Sequence, residues 1–352
     1  MLSFLLTGFV VVVVFSIVIL VHELGHFLVA RKTGVKVERF SLGLGKVLLS
    51  KTFGDTEYTI CAIPFGGYVK MAGDEPSDTL KIKPGDFYAQ PPGKRFWIIF
   101  SGAAVNYIFA FLLFCFIVPT ARVGIVVDDM PAYRAGIVTG DKIISIDGKK
   151  IDYWYQVLEI ISKNKSVDSL SIEFERDEKI YDVNIKPEII ETEGIFGNKK
   201  SIPKIGIGYY GDVEVLKSNI ANHIKVGTQQ ILSNTALTYK FLWYLLTGKI
   251  ALKGSATGPV GIAVMLGKAV KVGFVYLVYL VAHINLALAI FNLLPFPVLD
   301  GGHILFLGLE KIRKKALSVK TQEVIQYIAI SLILVLFLVI TWNDISIWIL
   351  KR

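Results

Sequence analysis

Val21-His22-Glu23-Leu24-Gly25-His26 closes an apolar run that begins near Leu5 and ends at Ala30. A run of that length satisfies the roughly 20 helical residues a bilayer core demands. On a helix, positions i and i+4 share a face, so His22 and His26 can present nitrogens to one metal ion. Glu23, beside them, can take a proton from water at that metal. Imidazoles and a carboxylate this close to a membrane interior are costly unless they are paired or used. The competing reading is a helix end at the interface, with the three groups simply solvated.

Outward from this segment, three more apolar stretches approach spanning length: Phe96 to Val118, Val272 to Leu294 and Val324 to Trp342. Apolar residues make up 53% of the 352 residues and charged residues 19%, against about 25% charged in a soluble domain. The expected fold class is therefore a polytopic α-helical membrane protein with four transmembrane helices. The first run lacks a basic leader and a small-residue cleavage site, so it is expected to stay in place and not to be removed as a signal peptide. Cys61 and Cys115 lie in separate regions, which excludes a disulfide framework and a multi-cysteine zinc site. The net charge of +9 reflects loop bias and implies no nucleic-acid partner. Residues 31–95 hold eleven Lys and Arg against seven acids, and Lys311, Arg313, Lys314, Lys315 and Lys320 follow the third stretch. Both loops are expected in the cytoplasm, which places the N-terminus, residues 120–271 and the C-terminus outside. Lys351 and Arg352 are a small contrary signal.

Catalytic zinc takes three protein ligands and keeps one position open. The end of the third stretch, Phe291-Asn292-Leu293-Leu294-Pro295-Phe296-Pro297-Val298-Leu299-Asp300-Gly301-Gly302-His303, carries a candidate for the third. Two prolines interrupt the helix, and broken helix at membrane depth is tolerated only around a buried or water-lined cavity. Asp300 is read as lying on a glycine-flanked turn at the same cytoplasmic side as the histidines. The alternative is a bare cytoplasmic turn.

With both motifs together the chain resembles the bacterial site-2 proteases of the RseP and RasP type, intramembrane zinc metalloproteases. The resemblance covers nearly the whole chain. It implies Zn2+ held by His22, His26 and Asp300, Glu23 as general base, and Asn292 as a polar substrate-binding group near the scissile carbonyl. It extends over Arg95 through Asn106 and Gly258-Pro259-Val260-Gly261-Ile262. Relatives often carry Ala-Gly-Pro where this chain has Ser101-Gly102-Ala103, and a second Asn where it has Ala287; Asn285 is off register. His303 is expected behind the ligands, His283 in a helix-to-helix hydrogen bond, and His223 in solvent.

Residues 121–210 alternate short β-branched runs with turn signals such as Asp147-Gly148. Through Val123-Gly124-Ile125-Val126, Met130 to Ile137 and Gly140-Asp141 they resemble one PDZ domain, which either filters or binds substrate. Residues 46–70, around Gly54-Asp55, read as a β-hairpin with a glycine-rich return, and the resemblance makes this a membrane-associated sheet that contacts substrate. Val226 to Leu252 is semi-apolar and reads as an interfacial amphipathic helix. The expected divisions are 1–31 (first span), 32–95 (β region, cytoplasmic or membrane-associated), 96–119 (second span), 120–210 (PDZ-like), 211–271 (interfacial), 272–302 (third span), 303–322 (cytoplasmic loop) and 323–352 (fourth span). The resemblance implies a bacterial inner membrane enzyme acting on single-span membrane proteins in regulated intramembrane proteolysis, with anti-sigma factors or remnant signal peptides as examples. A membrane metal transporter and an inactive PDZ-bearing scaffold are the alternatives. The first has no need of Glu23, and the second predicts the loss of a ligand or of the base.

Overall fold

The computed structural model describes residues 2–74, 83–164, 168–193, 199–209, 211–250, 257–315 and 317–348. In chain order these form α1 (Leu2–Thr33), β1 (Val37–Phe53), β2 (Thr56–Met71), α2 (Pro92–Phe116), β3 (Ile117–Pro119), β4 (Val123–Val126), α3 (Pro131–Arg134), β5 (Lys142–Ile146), β6 (Lys149–Lys150) and α4 (Trp154–Lys163). There follow β7 (Leu170–Arg176), β8 (Lys179–Ile185), β9 (Glu188–Glu193), β10 (Lys199–Lys204), β11 (Ile207–Tyr209), β12 (Val213–Val215), α5 (Ile220–Leu246), α6 (Pro259–Val272), α7 (Phe274–Asn292), α8 (Asp300–Arg313) and α9 (Val319–Trp348). The chain divides into two compact units, Met1–Phe111 with Ile250–Arg352, and Leu112–Lys249. Among the described residues, four helical segments are long and apolar enough to cross a membrane: Leu5–Thr33, Pro92–Phe116, Phe274–Asn292 and Val319–Ser346.

In the first unit α1 meets α2 at two glycines. A Cβ on Gly25 would stand 2.3 Å from the Ser101 carbonyl oxygen and 3.0 Å from the Gly102 Cα, so the backbones touch where no side chain intervenes. Glycine inside a helix costs about 1 kcal/mol relative to alanine. Lipid supplies no hydrophobic drive for helix association, so close backbone packing of this kind offsets that cost. A second contact region gathers Val14 and Val18 of α1 with Leu266 of α6, flanked by Leu277, Leu280 and Ile284 of α7.

Two stretches read from the sequence as single divisions have internal structure. Residues 211–271 are not a single helix: α5 ends at Leu246, and α6 packs against α1 and α7. At 14 residues, or about 21 Å, it is too short to span a bilayer. The buried Asp344 carboxylate of α9 accepts hydrogen bonds from the Gly258 and Gly261 amides at 3.1 and 2.8 Å and satisfies the first turn of α6. Residues 303–322 are not simply a loop either, since α8 continues to Arg313. Asp300 opens its first turn and Lys311 and Arg313 close it, the charge order the helix dipole favours, and Lys314 ends it in a left-handed conformation at φ 55°. Lys351 and Arg352, and residues 251–252 of the expected amphipathic stretch, lie outside the described residues.

β1 and β2 are long, bent strands that pair twice. Residues 39–42 of β1 face both Glu57 to Ile60 and Gly67 to Lys70 of β2, while Val47 to Phe53 of β1 pair with Thr56 to Cys61 alone. The outer edge of residues 67–71 pairs with no other strand among the described residues. Leu48, Leu49, Phe53, Ile60 and Ile63 are all exposed on the distal half.

In the second unit, β6, β5, β7 and β8 form an antiparallel sheet covered by amphipathic α4, which buries Trp154, Val157 and Ile161. Gly140-Asp141 has a concrete task there. Buried Asp141 accepts from the Val138 amide and from Arg176 at 2.7 and 2.8 Å, which ties the turn before β5 to the end of β7. β11 pairs with β4 and so joins the two ends of the β-rich segment. α5 begins at Asn219, whose side chain accepts from the Asn222 amide as an N-cap. Gln230 of α5 donates to the Phe114 and Ile117 carbonyls, both at 2.9 Å, where α2 gives way to β3.

Arg95 at the start of α2 is buried and forms a two-pronged ion pair with Glu310 of α8 at 2.5 and 3.2 Å, with its guanidinium 5.4 Å from the Tyr88 ring centre. Arg95→Ala would leave Glu310 without its partner in a mostly buried place. The expected loss is about 3 kcal/mol, read as a lower melting temperature of the detergent-solubilised protein, with Arg95→Lys losing less.

Candidate metal centre

The histidine pair sits near the end of α1, one turn apart, with ring centres 4.7 Å apart and planes at 86°. His22 and His26 are both buried. The carboxylate they face comes from the other end of the sequence. α7 stops at Asn292, the chain runs through Pro295 and Pro297, and α8 restarts at Asp300. Asp300 is thus the first residue of a helix and not part of a free turn. The break is held tightly: the Phe296 amide donates to the Leu294 carbonyl and the Leu299 amide to the Phe296 carbonyl. A Cβ on Gly301 would lie 2.2 Å from the Leu294 oxygen, and one on Gly302 would lie 2.2 Å from the Phe296 oxygen. The two glycines therefore allow α8 to start directly on the broken backbone, and that start brings Asp300 to the histidines.

Asp300 Oδ2 is 3.3 Å from His22 Nε2 and 3.6 Å from His26 Nε2, and the two Nε2 atoms are 3.2 Å apart. These three residues are the metal-competent cluster among the described residues, with ligand atoms all within 4.8 Å of one another. Asp300 Oδ2 is buried and has no hydrogen-bond partner, an arrangement that is costly unless a cation completes it. Behind the ring of His26, Nδ1 donates to the Ile98 carbonyl at 2.8 Å, which leaves Nε2 as the lone-pair nitrogen facing the cluster. Gly102 supplies room: a Cβ there would fall 2.3 Å from His26 Nε2 and 2.7 Å from His22 Cε1. Two imidazoles and one carboxylate, with the remaining side left clear by a glycine, fit a catalytic zinc site.

Glu23 lies outside the cluster but beside it. It lines a cleft of about 610 Å³ shared with His22, His26, Asp300, His303 and Gln326, and Tyr68, Val69 and Lys70 of β2 line the same cleft. The free edge of β2 is therefore one wall of the cleft. Asn292, the last residue of α7, places its side-chain Nδ2 3.3 Å from His22 Nε2, on the face of the imidazole turned toward the cluster.

All five residues expected at the site thus gather there. His303 lines the cleft three residues after Asp300 and is not in the cluster. His283 binds the Tyr279 carbonyl of its own helix at 3.0 Å. His223 is corrected: it is buried against Phe116, with Nε2 on the Ser218 carbonyl, because α5 lays this face on the end of α2. Sequence reasoning missed the parts played by Ile98 and Gly102. Gly102 had a signal, a glycine inside an apolar helix; Ile98 acts through its main-chain carbonyl and had none.

A membrane-embedded pair of histidines with an acid beside them and a distant aspartate completing the set defines the zinc-protease type of site. The chain belongs to Peptidase family M50, which it matches over residues 10–336. It is 34% identical over 348 residues to a protein of Campylobacter jejuni provisionally named a zinc metalloprotease, covering 95% of this chain and 92% of that one. A similarly named protein of Clostridium perfringens is 33% identical over 341 residues, covering 94% and 96%. Zinc metalloprotease RasP of Oceanobacillus iheyensis is 25% identical over 421 residues, covering 95% and 97%. Among solved structures, the PDZ domain of the SdrC-like protein of Listeria monocytogenes is 28% identical, covering 26% of this chain and 87% of that one at a TM-score of 0.22. The protein is a zinc metalloprotease and a multi-pass membrane protein.

Gly102→Ala puts a methyl group into the space the ligands need. The purified variant is expected to hold well under one equivalent of zinc by elemental analysis, while a folded Ala103→Ser control keeps its metal.

Proposed function

We propose that this protease hydrolyses peptide bonds inside the transmembrane segments of single-span membrane proteins. The observation that carries the proposal is the meeting of His22, His26 and Asp300 beside Glu23, next to a strand edge left open. Zinc held by the three ligands supplies Lewis acidity toward water and toward a carbonyl oxygen. Glu23 takes the proton of the attacking water and delivers it to the leaving amide nitrogen. Asn292, whose Nδ2 faces the same side, donates to the carbonyl oxygen as negative charge builds there. A helical substrate must unwind before its peptide bond is accessible, and unwound backbone in lipid needs partners. Residues 67–70 offer those partners by strand addition, with the extended substrate lying between this edge and Glu23. The exposed leucines and aromatics of the distal β1–β2 half suit contact with lipid.

On loop charge, residues 31–95 and the basic end of α8 lie in the cytoplasm, and residues 120–271 outside. The PDZ-like part then acts in selection and not in chemistry, on substrates such as anti-sigma factors or remnant signal peptides already trimmed outside.

Glu23→Gln keeps all three ligands. It is expected to retain zinc and lose at least about 100-fold in cleavage of a transmembrane model peptide, whereas Asp300→Ala loses zinc and cleavage together. Unchanged turnover in Glu23→Gln contradicts the mechanism. Replacing residues 124–208 by a flexible linker is expected to leave a trimmed substrate cleavable and to render an untrimmed one cleavable as well. An inactive but zinc-loaded deletion contradicts a selective role.

A further inference from the structure

His26 has a clear partner for its rear nitrogen, and His22 poses the same requirement one turn earlier. A neutral imidazole that offers Nε2 to a metal carries its proton on Nδ1, and that proton needs an acceptor to fix the ring. α1 and α2 cross so that His26 meets Ile98 and both histidines meet Gly102. One further turn along the same face of α2 stands Asn106, at i+8 from Ile98. Asn106 is fully buried, its side-chain amide is 3.5 Å from His22 Nδ1, and its Oδ1 has no hydrogen-bond partner.

In the orientation given, Nδ2 faces His22 Nδ1, which would set two donors against each other once Nε2 serves a metal. The two ends of a side-chain amide have the same shape. Turned end for end, Asn106 brings Oδ1 to the imidazole N–H and removes the orphaned acceptor in one step. Asn292 is the other amide near this ring, 3.5 Å from Nδ1 and 3.3 Å from Nε2, so it also reaches the metal-facing nitrogen, whereas Asn106 contacts Nδ1 alone.

We infer that Asn106 is a positioning residue: its Oδ1 accepts the Nδ1 proton of His22 and so holds Nε2 toward the metal, as the Ile98 carbonyl does for His26. This rests on the reading of His22 as a zinc ligand. The two asparagines around His22 then divide their work, Asn106 toward the ring and Asn292 toward the substrate.

The test uses the full-length protein in detergent and follows release of zinc to a chromophoric chelator, with cleavage of a transmembrane peptide measured in parallel. Asn106→Leu keeps the branched shape and removes the acceptor; it is expected to release zinc about 10- to 100-fold faster than the parent. Asn106→Asp keeps an acceptor and is expected to stay within a few-fold. Asn292→Ala is expected to release zinc at the parental rate while losing turnover. An unchanged release rate in Asn106→Leu overturns the inference, as does fast release from Asn292→Ala with slow release from Asn106→Leu. Full zinc retention by His22→Ala would show instead that the ligand assignment is at fault. Nitrogen-15 spectra of the histidine-labelled parent give a reading that needs no folded variant: His22 protonated at Nδ1 agrees, and His22 bound to the metal through Nδ1 does not.

Discussion

Everything in the first unit answers to one constraint: the carboxylate of Asp300 has to reach two imidazoles presented by a different helix. Neither partner tolerates burial alone. An unpaired carboxylate or imidazole in an apolar helix bundle costs several kcal/mol, so the groups must be brought together, and the bundle is shaped to do it. The polypeptide breaks at Pro295 and Pro297, restarts at Asp300, and uses Gly301 and Gly302 to seat the new helix directly on the broken backbone.

The same constraint explains why α2 is built from small residues where it passes the site. Gly25 and Gly102 let two helices touch backbone to backbone, and Gly102 leaves the metal-facing nitrogens clear. Rigidity comes from farther out. The Arg95–Glu310 pair fixes the far end of α8 against the start of α2, and Asp344 ties α9 to the first turn of α6. Glu23 lines the same cleft without joining the ligand cluster. One carboxylate is thus kept beside the cluster and another within it, which is the separation that a base and a ligand require.

Much of this was legible in the sequence because it depends on local spacing. His22, Glu23 and His26 declare themselves by i, i+4 periodicity, and the double proline announces the break before Asp300. The four long apolar runs correspond to four helices of the right length, with ends shifted by a few residues. What escaped the sequence was tertiary. α6 is short and flanked by lysines, so nothing local distinguishes burial in the bundle from a place at the interface. The start of α8 looks like a glycine turn until its first turn is seen packed on Leu294 and Phe296. His223 carries no local sign of burial, which comes from the face α5 lays on the end of α2. Ile98 acts through a main-chain carbonyl, which no side-chain motif can encode.

X-ray absorption at the zinc edge of the purified, detergent-solubilised protein tests the central claim most directly. The account predicts one zinc per chain with two imidazole nitrogens and two oxygens at about 2.0–2.1 Å, one oxygen from Asp300, and loss of the imidazole signal together with the metal in His26→Ala. A sulfur neighbour, or a third imidazole that disappears in His303→Ala, would contradict it.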